Sequence, residues 1–295
     1  MLSSGSQTTP MPLNQFAGGQ MNNNHIKEMV NTNVGQHEYY ETADGYSESP
    51  INSQATNVWR RVRRNVFSVF RNAGIQASVV QMHVDWIGDV SNAKVLDLGL
   101  GEGNPLSLKL AREAKEYVAI DLSSVRMETF QRKLNDAGIS GARTYVGDFL
   151  DEKFFPETGF DLVYAMSIFH HFKHMGDFLD EVSKRLSPGG RVVTLDPLET
   201  WLPIKLVRMA YRPFQTDSAW EFPFNQKSLD AIQQKFKVEH VQGLYGYSKW
   251  AVPMSVFNPE AAKRYGYQWH MKDLQHSNTI GNIRSCLRVS FLLRK

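Results

Sequence analysis

Three glycines at alternate positions, Gly99, Gly101 and Gly103, fall in the segment Asp97-Leu-Gly-Leu-Gly-Glu-Gly-Asn-Pro105. Glycine is needed where backbone takes positive φ or comes close to a ligand. Asn104 suits a helix N-cap and Pro105 the first helical turn, so the segment reads as a strand–loop–helix hinge that sets backbone against a ligand. Asp121 follows Gly101 by 20 positions, at the end of the next apolar run, where a carboxylate can accept both hydroxyls of a ribose. That chemistry suits a dinucleotide, and equally a nucleoside carrying an amino-acid arm. The dinucleotide pattern G-x-G-x-x-G, counted from Gly99, calls for glycine where this chain has Asn104. Further along, Asp148 follows a third short strand pattern, His170 and His171 follow a fourth, and Asp196 ends a fifth. Parallel α/β sheets bind ligands outside the carboxyl ends of their strands. A histidine placed there can take a proton from an oxygen or nitrogen nucleophile near neutral pH. Asp196 is the other candidate for that work. The plainer roles are a packed or capping histidine and, for Asp196, a turn before Pro197.

The elements that must hold these residues are legible from periodicity. Lys94–Leu100, Tyr117–Leu122, Arg143–Val146, Phe160–Met166 and Arg191–Leu195 read as strands. Helices are expected between them over Leu106–Lys115, Ser124–Ala137 and Met175–Leu186, with a turn at Ser187-Pro-Gly-Gly. This alternation predicts right-handed crossovers and a mainly parallel sheet. Val238–Tyr247 and Leu287–Leu293 lack a clean crossover and read as an antiparallel pair that finishes the sheet. The fold class is therefore α/β: a Rossmann-like, seven-stranded, mainly parallel sheet with an antiparallel last strand and helices on both faces.

Residues 1–35 are rich in Ser, Gln, Asn, Thr and Gly and predict a mobile tail, part of which precedes plausible alternative starts at Met11 and Met21. Residues 36–90 are expected to form an N-terminal lid and helices. The lid segment is His37-Glu-Tyr-Tyr-Glu-Thr-Ala-Asp-Gly-Tyr46, without helical or strand period. Amphipathic helices follow, from Gln54 to near Gly74 and over Gln76–Ile87. Residues 91–295 make the main domain, interrupted by inserts at 199–224 and 251–284. A single cysteine, Cys286, excludes a disulfide framework and a multi-cysteine metal site. The N-terminus has neither the basic start nor the apolar stretch of a secretory signal, and no apolar run is long enough to span a bilayer. Cytoplasmic residence is the expectation. Arg60, Arg61, Arg63 and Arg64 cluster on the first amphipathic helix, but with a net charge of +3 they read as a solvated face rather than a nucleic-acid site.

Taken in order, these motifs resemble those of the class I S-adenosylmethionine-dependent methyltransferases, with the match running from about Ala93 to Asp196 and a looser fit beyond. The resemblance implies S-adenosylmethionine as cofactor. Gly99, Leu100 and Gly101 would line its methionine arm, with Asp97 supporting the loop. Asp121 would bind the ribose, and Leu122 would lie beside the adenine. Asp148 would accept the adenine amine, with Phe149 presenting its backbone N–H to the ring. Met166, ending the fourth strand before its acceptor-facing loop, would also bind the cofactor, with His170, His171 and Asp196 as candidate catalytic groups and no metal ligands expected. The sulfonium donor is already activated, so alignment and exclusion of water can supply most of the acceleration.

The same resemblance narrows the acceptor. The Asp/Asn-Pro-Pro-aromatic motif of amino-group methylators is replaced here by Met166-Ser-Ile-Phe169. Cys286 lies far from where a cytosine C5 methylator needs its nucleophile, and the His-His loop differs from the acidic ligands of catechol types. A metal-independent transfer to O, N or C of a small metabolite is the expected function. The alternatives are a catalytically silent donor-binding accessory protein and a NAD(P)-dependent oxidoreductase. In the first insert, Lys205, Arg208 and Arg212 share a face beside apolar Trp201, Leu202, Leu206, Val207 and Met209. Such a helix can pack with a solvated basic face, close over an anionic substrate, or rest on a membrane or lipophilic substrate.

Overall fold

The computed structural model describes residues 24–41 and 54–295. In chain order the helices are α1 (Asn24–Glu41), α2 (Gln54–Asn72) and α3 (Ile75–Ile87). There follow β1 (Lys94–Leu98), α4 (Pro105–Glu113), β2 (Glu116–Asp121), α5 (Ser124–Asp136), β3 (Ala142–Val146), β4 (Phe160–Met166), α6 (Met175–Arg185) and β5 (Leu186–Pro197). The C-terminal part holds α7 (Leu202–Tyr211), α8 (Gln226–Lys235), β6 (Lys237–Leu244), α9 (Ala251–Phe257), α10 (Pro259–His276) and β7 (Arg288–Arg294).

The strands make one seven-stranded sheet in the order β3-β2-β1-β4-β5-β7-β6. β1 pairs in parallel with β2 and β4, β3 with β2, and β5 with β4. β7 is antiparallel to both β5 and β6, as the missing crossover pattern predicts. Alternation along the strands makes two apolar faces. Leu96, Leu98, Val118, Ile120, Val163 and Ala165 join Phe178 and Leu179 of α6 and Leu229 and Ile232 of α8. Val95, Tyr117, Ala119, Leu162 and Tyr164 point the other way, against Leu106 and Leu110 of α4 and Met127 and Phe130 of α5. A strand buried on both faces needs continuous apolar runs, which is why VLDL and YVAID are apolar at both parities. The order reverses between β1 and β4, and the crevice at their carboxyl ends is where ligands of such sheets bind.

Two expectations are corrected. The expected tail before residue 36, and the expected lack of helical period from His37, give way from Asn24 to Glu41 to a helix whose Ile26, Met29 and Val30 enter the apolar cluster under β2 and β4. Polar composition misleads here because a few apolar residues at helical spacing suffice once the sheet supplies the other half of the contact. The remainder of both segments lies outside the described residues. The turn at Ser187-Pro-Gly-Gly is a bulge inside β5: Phe160 pairs with Leu186 but Leu162 pairs with Arg191, so four residues on one strand face one on the other.

Candidate active site

At the carboxyl ends of the central strands lies a cavity of about 830 Å³. The glycine loop forms one wall. Gly99 and Gly101 have φ of +62° and +59°, and a Cβ on Gly99 would stand 2.3 Å from Ile168. Backbone thus fills a place that no side chain can share. Asn104 caps α4, its Oδ1 accepting from the N–H groups of Leu106 and Ser107 at 2.8 and 3.1 Å, and Pro105 has no N–H to offer. Two of the N–H groups that a helix N-terminus offers to a phosphate are thus used within the helix.

Asp121 closes β2 and ties the loop to it. Its Oδ2 accepts from Gly101 N–H at 2.7 Å and its Oδ1 from Ser123 N–H at 2.9 Å. Burial raises the pKa of this carboxyl against those two bonds. Asp148, after β3, is buried as well; Leu150 N–H donates to its Oδ1 at 2.8 Å. Asn33 on α1 donates to both of its oxygens at 3.0 Å. Burial lifts the Asp148 pKa to about 6, the bonds from Leu150 and Asn33 opposing. Gly99, Leu100, Gly101, Asp121, Leu122, Asp148, Phe149 and Met166 all border the cavity. Asp97 does not. It lies beneath the loop, accepting the Tyr117 hydroxyl at 2.8 Å, and burial pushes its pKa up to about 7, against hydrogen bonds from Ser107 and Tyr117.

The opposite wall follows β4. Ser167 takes a φ of +61°, rare for a residue with a side chain, and its hydroxyl meets the Arg288 guanidinium. The next turn carries His170 and His171, both buried, with ring centroids 4.3 Å apart. His170 Nδ1 lies 2.8 Å from Asp196 Oδ1, and its Nε2 is 3.4 Å from Glu221 Oε2. Asp196, wholly buried behind it, also accepts the His170 backbone N–H at 3.1 Å. Burial alone would pull the His170 pKa down, but the Glu221 and Asp196 carboxylates outweigh it and hold it at about 9. Near neutral pH this ring is an imidazolium clamped between two anions. Glu221 is correspondingly lowered to about 2, although burial opposes the effect of the His170 charge.

His171 is its counterpart. Burial, then the charge on His170, lowers its pKa to about 4, so the ring is neutral. Its Nδ1 sits 2.9 Å from the Trp220 carbonyl and must carry the proton to make that bond. Nε2 is then a lone-pair nitrogen in a ring that borders the cavity.

Two groups among the described residues have metal-ligand spacing: His25, His174 and Asp177 on the surface, and His170, His171 and Glu221 here. In the second, Nε2 of His170 faces Glu221 Oε2 at 3.4 Å.

Glu221 is the residue that motif reading misses. It sits in the first insert, whose end is pinned to the sheet: Phe222 N–H donates to the His170 carbonyl at 2.7 Å and Phe224 N–H to that of Pro197 at 2.8 Å. No local pattern marks it. Asn33, Gln36 and Tyr40 also border the cavity, from a helix that composition assigned largely to a tail. His37 and Glu41 fix that helix to the Leu122 carbonyl and to Ser124.

A family profile described as "Methyltransferase domain" matches residues 95–190. That span holds the glycine loop, Asp121, Asp148 and both histidines in the order and on the elements just described. These residues form a class I S-adenosylmethionine-dependent methyltransferase domain.

Relatives of this domain agree in kind. The chain is 31% identical over 104 residues to the mitochondrial ubiquinone biosynthesis O-methyltransferase of Schizosaccharomyces pombe, covering 35% of this chain and 37% of that protein. It is 27% identical over 197 residues to the fatty-acid O-methyltransferase of Mycolicibacterium smegmatis, covering 64% of this chain and 66% of the other. The methyltransferase match thus spans less than two thirds of the length of these relatives. Among solved structures, the geranyl diphosphate C-methyltransferase of Streptomyces coelicolor A3(2), crystallised with Mg2+, geranyl-S-thiolodiphosphate and S-adenosyl-L-homocysteine, superposes with a TM-score of 0.52 at 17% identity. The superposition covers 74% of this chain and 75% of that one, a likeness of fold.

Proposed function

We propose that this chain transfers a methyl group from S-adenosylmethionine to a hydroxyl oxygen of a small amphipathic metabolite, with His171 accepting the hydroxyl proton. One observation carries this reading: a neutral histidine with its Nε2 lone pair uncommitted borders the same cavity as the glycine loop. When bound, the donor supplies an electrophilic methyl on a sulfonium.

The chain's own residues do the rest. Gly99 and Gly101 admit the donor's arm against backbone, Asp121 takes the ribose hydroxyls, and Asp148 the adenine amine. α1 lies across this half of the cavity, through Asn33, Gln36 and Tyr40, and excludes water. His170 acts by its charge: with Asp196 on one ring nitrogen and Glu221 on the other, its imidazolium borders the cavity and favours loss of the hydroxyl proton. A base as weak as His171 suffices, because an oxygen becomes strongly acidic as it gains a methyl.

The acceptor half of the cavity is bordered by Val66, Phe67, Phe70, Ile204 and Val207, with Arg288 and Arg208 as cations. An apolar body with a polar head suits that lining, and the named activities of the two O-methyltransferase relatives point the same way. No step in this scheme needs a metal ion.

Calorimetric titration with S-adenosylhomocysteine, NAD and NADP, followed by an acceptor screen with labelled donor, tests the reading. Binding of the first ligand alone and label on an oxygen are expected. Dinucleotide binding without S-adenosylhomocysteine binding overturns it, and donor binding with no acceptor found across lipophilic hydroxyl compounds favours the accessory role.

A further inference from the structure

α7 buries none of its residues. Leu202 and Leu206 are 65% and 55% exposed, and at the far end of α9 Val256 and Phe257 are 76% and 89% exposed. Val58 and Val62 of α2 are exposed too. Single apolar side chains on a surface need no explanation, but a cluster on adjoining helices marks an interaction face.

The helices do adjoin. Lys249 Nζ lies 3.9 Å from the Trp201 ring centroid and 5.8 Å from that of Trp250, so the residues that open α7 and α9 are stacked on one cation. α2 packs on α9 and on the turn Arg212–Phe214 that follows α7. Charge on these elements is one-sided. α2 carries exposed Arg61, Arg64 and Arg71 without an acidic residue, and α7 carries exposed Lys205 without one, in a chain whose net charge is only +3; Arg63 and Arg208 turn instead to Asp217 and Glu199.

We propose that α2, α7 and α9 form the face by which this chain seats on an anionic phospholipid bilayer. Leucine, valine and phenylalanine side chains enter the acyl boundary while exposed Arg61, Arg64, Arg71 and Lys205 reach the phosphates. A second copy of the chain fits this face less well, because a two-fold contact would set its basic rows against each other. No described helix is long and apolar enough to cross a membrane, so the contact is peripheral. α7 also borders the cavity, through Ile204, Val207 and Arg208. Seating therefore places the helix that walls the cavity against the lipid, a path for an acceptor with an apolar body. That last step rests on the acceptor class proposed above; the docking does not.

The full chain is floated with vesicles of phosphatidylcholine alone and of phosphatidylcholine mixed with phosphatidylglycerol. Binding to the mixed vesicles is expected, weaker by ~tenfold or more on the neutral ones and on raising the salt. The variant Leu202→Glu/Leu206→Glu/Val256→Glu/Phe257→Glu replaces residues that do not border the cavity. It should lose at least ~tenfold of the vesicle binding while keeping its melting temperature and S-adenosylhomocysteine affinity. No flotation of the wild type overturns the proposal, as does equal flotation of the variant. A wild-type dimer that the variant abolishes would assign the face to a second copy instead. Because donor affinity is read separately, failure of docking is distinguishable from failure of the catalytic reading.

Discussion

Replacing Glu221 by Gln removes one charge and keeps the shape of the side chain. In the wild type, His170 stands at about 9 instead of 6.5, because Glu221 and Asp196 together outweigh the cost of burying the ring. At ~1.4 kcal/mol per pKa unit, that is a net preference of about 3 kcal/mol for the imidazolium. Glu221→Gln leaves Asp196 alone against desolvation, so the His170 pKa should fall by about one unit or more. If the imidazolium assists proton loss from the acceptor, the rate falls on the alkaline side as His170 loses its proton, near pH 9 in the wild type, and on the acid side as His171 gains one, near pH 4. The assay is kcat against pH at saturating donor and acceptor for both proteins, with the histidine Cε1 protons followed by NMR over the same range. The alkaline limb should move down by about one unit or more while the acid limb moves little. An NMR pKa for His170 that falls while the kinetic limb stays at 9 would separate His170 from catalysis. A His170 pKa unmoved by the substitution would refute the electrostatic reasoning itself.

His171→Ala should lower kcat by ~100-fold or more with little change in acceptor KM, as loss of a proton acceptor does; equal loss in both would mark a binding role. Chelation with EDTA should leave the rate unchanged, whereas a loss restored by added metal would turn His170, His171 and Glu221 into ligands. Gly99→Ala should abolish measurable S-adenosylhomocysteine binding and destabilise the fold by ~1–3 kcal/mol, since its Cβ meets Ile168 and its φ is left-handed; calorimetry and thermal melts read both. Acid should weaken the domain through His83. Burial lowers its pKa to about 4, so the native state binds fewer protons than the unfolded one. The stability it contributes is present above pH 6.5 and is lost as pH falls towards 4, by up to ~3 kcal/mol. The pH dependence of urea unfolding should therefore flatten in His83→Gln, and an unchanged slope would remove His83 from the account.

The central sheet was legible because strands buried on two faces must be apolar along their length, and the helices between them must be amphipathic. VLDL, YVAID and FDLVYAM are strands, and helical spacing marks α4, α5 and α6, almost to the residue. The glycine loop and the carboxylates that border the cavity were legible for a related reason. Gly99 and Gly101 are demanded by backbone geometry, and Asp121 and Asp148 by their places at strand ends, so local chemistry and position along the chain coincide. α1 was hidden, because the helix of residues 24–41 is stabilised by packing on distant elements rather than by its own composition. The division between His170 and His171 was hidden as well. Two adjacent histidines are equivalent as letters; Asp196, Glu221 and the Trp220 carbonyl make one a cation and leave the other neutral. Glu221 reaches His170 across 51 residues only because the end of an insert is hydrogen-bonded to the sheet. Periodicity and glycine chemistry are written along the chain. Charge state depends on what lies within a few ångströms in space, and that was settled by tertiary structure.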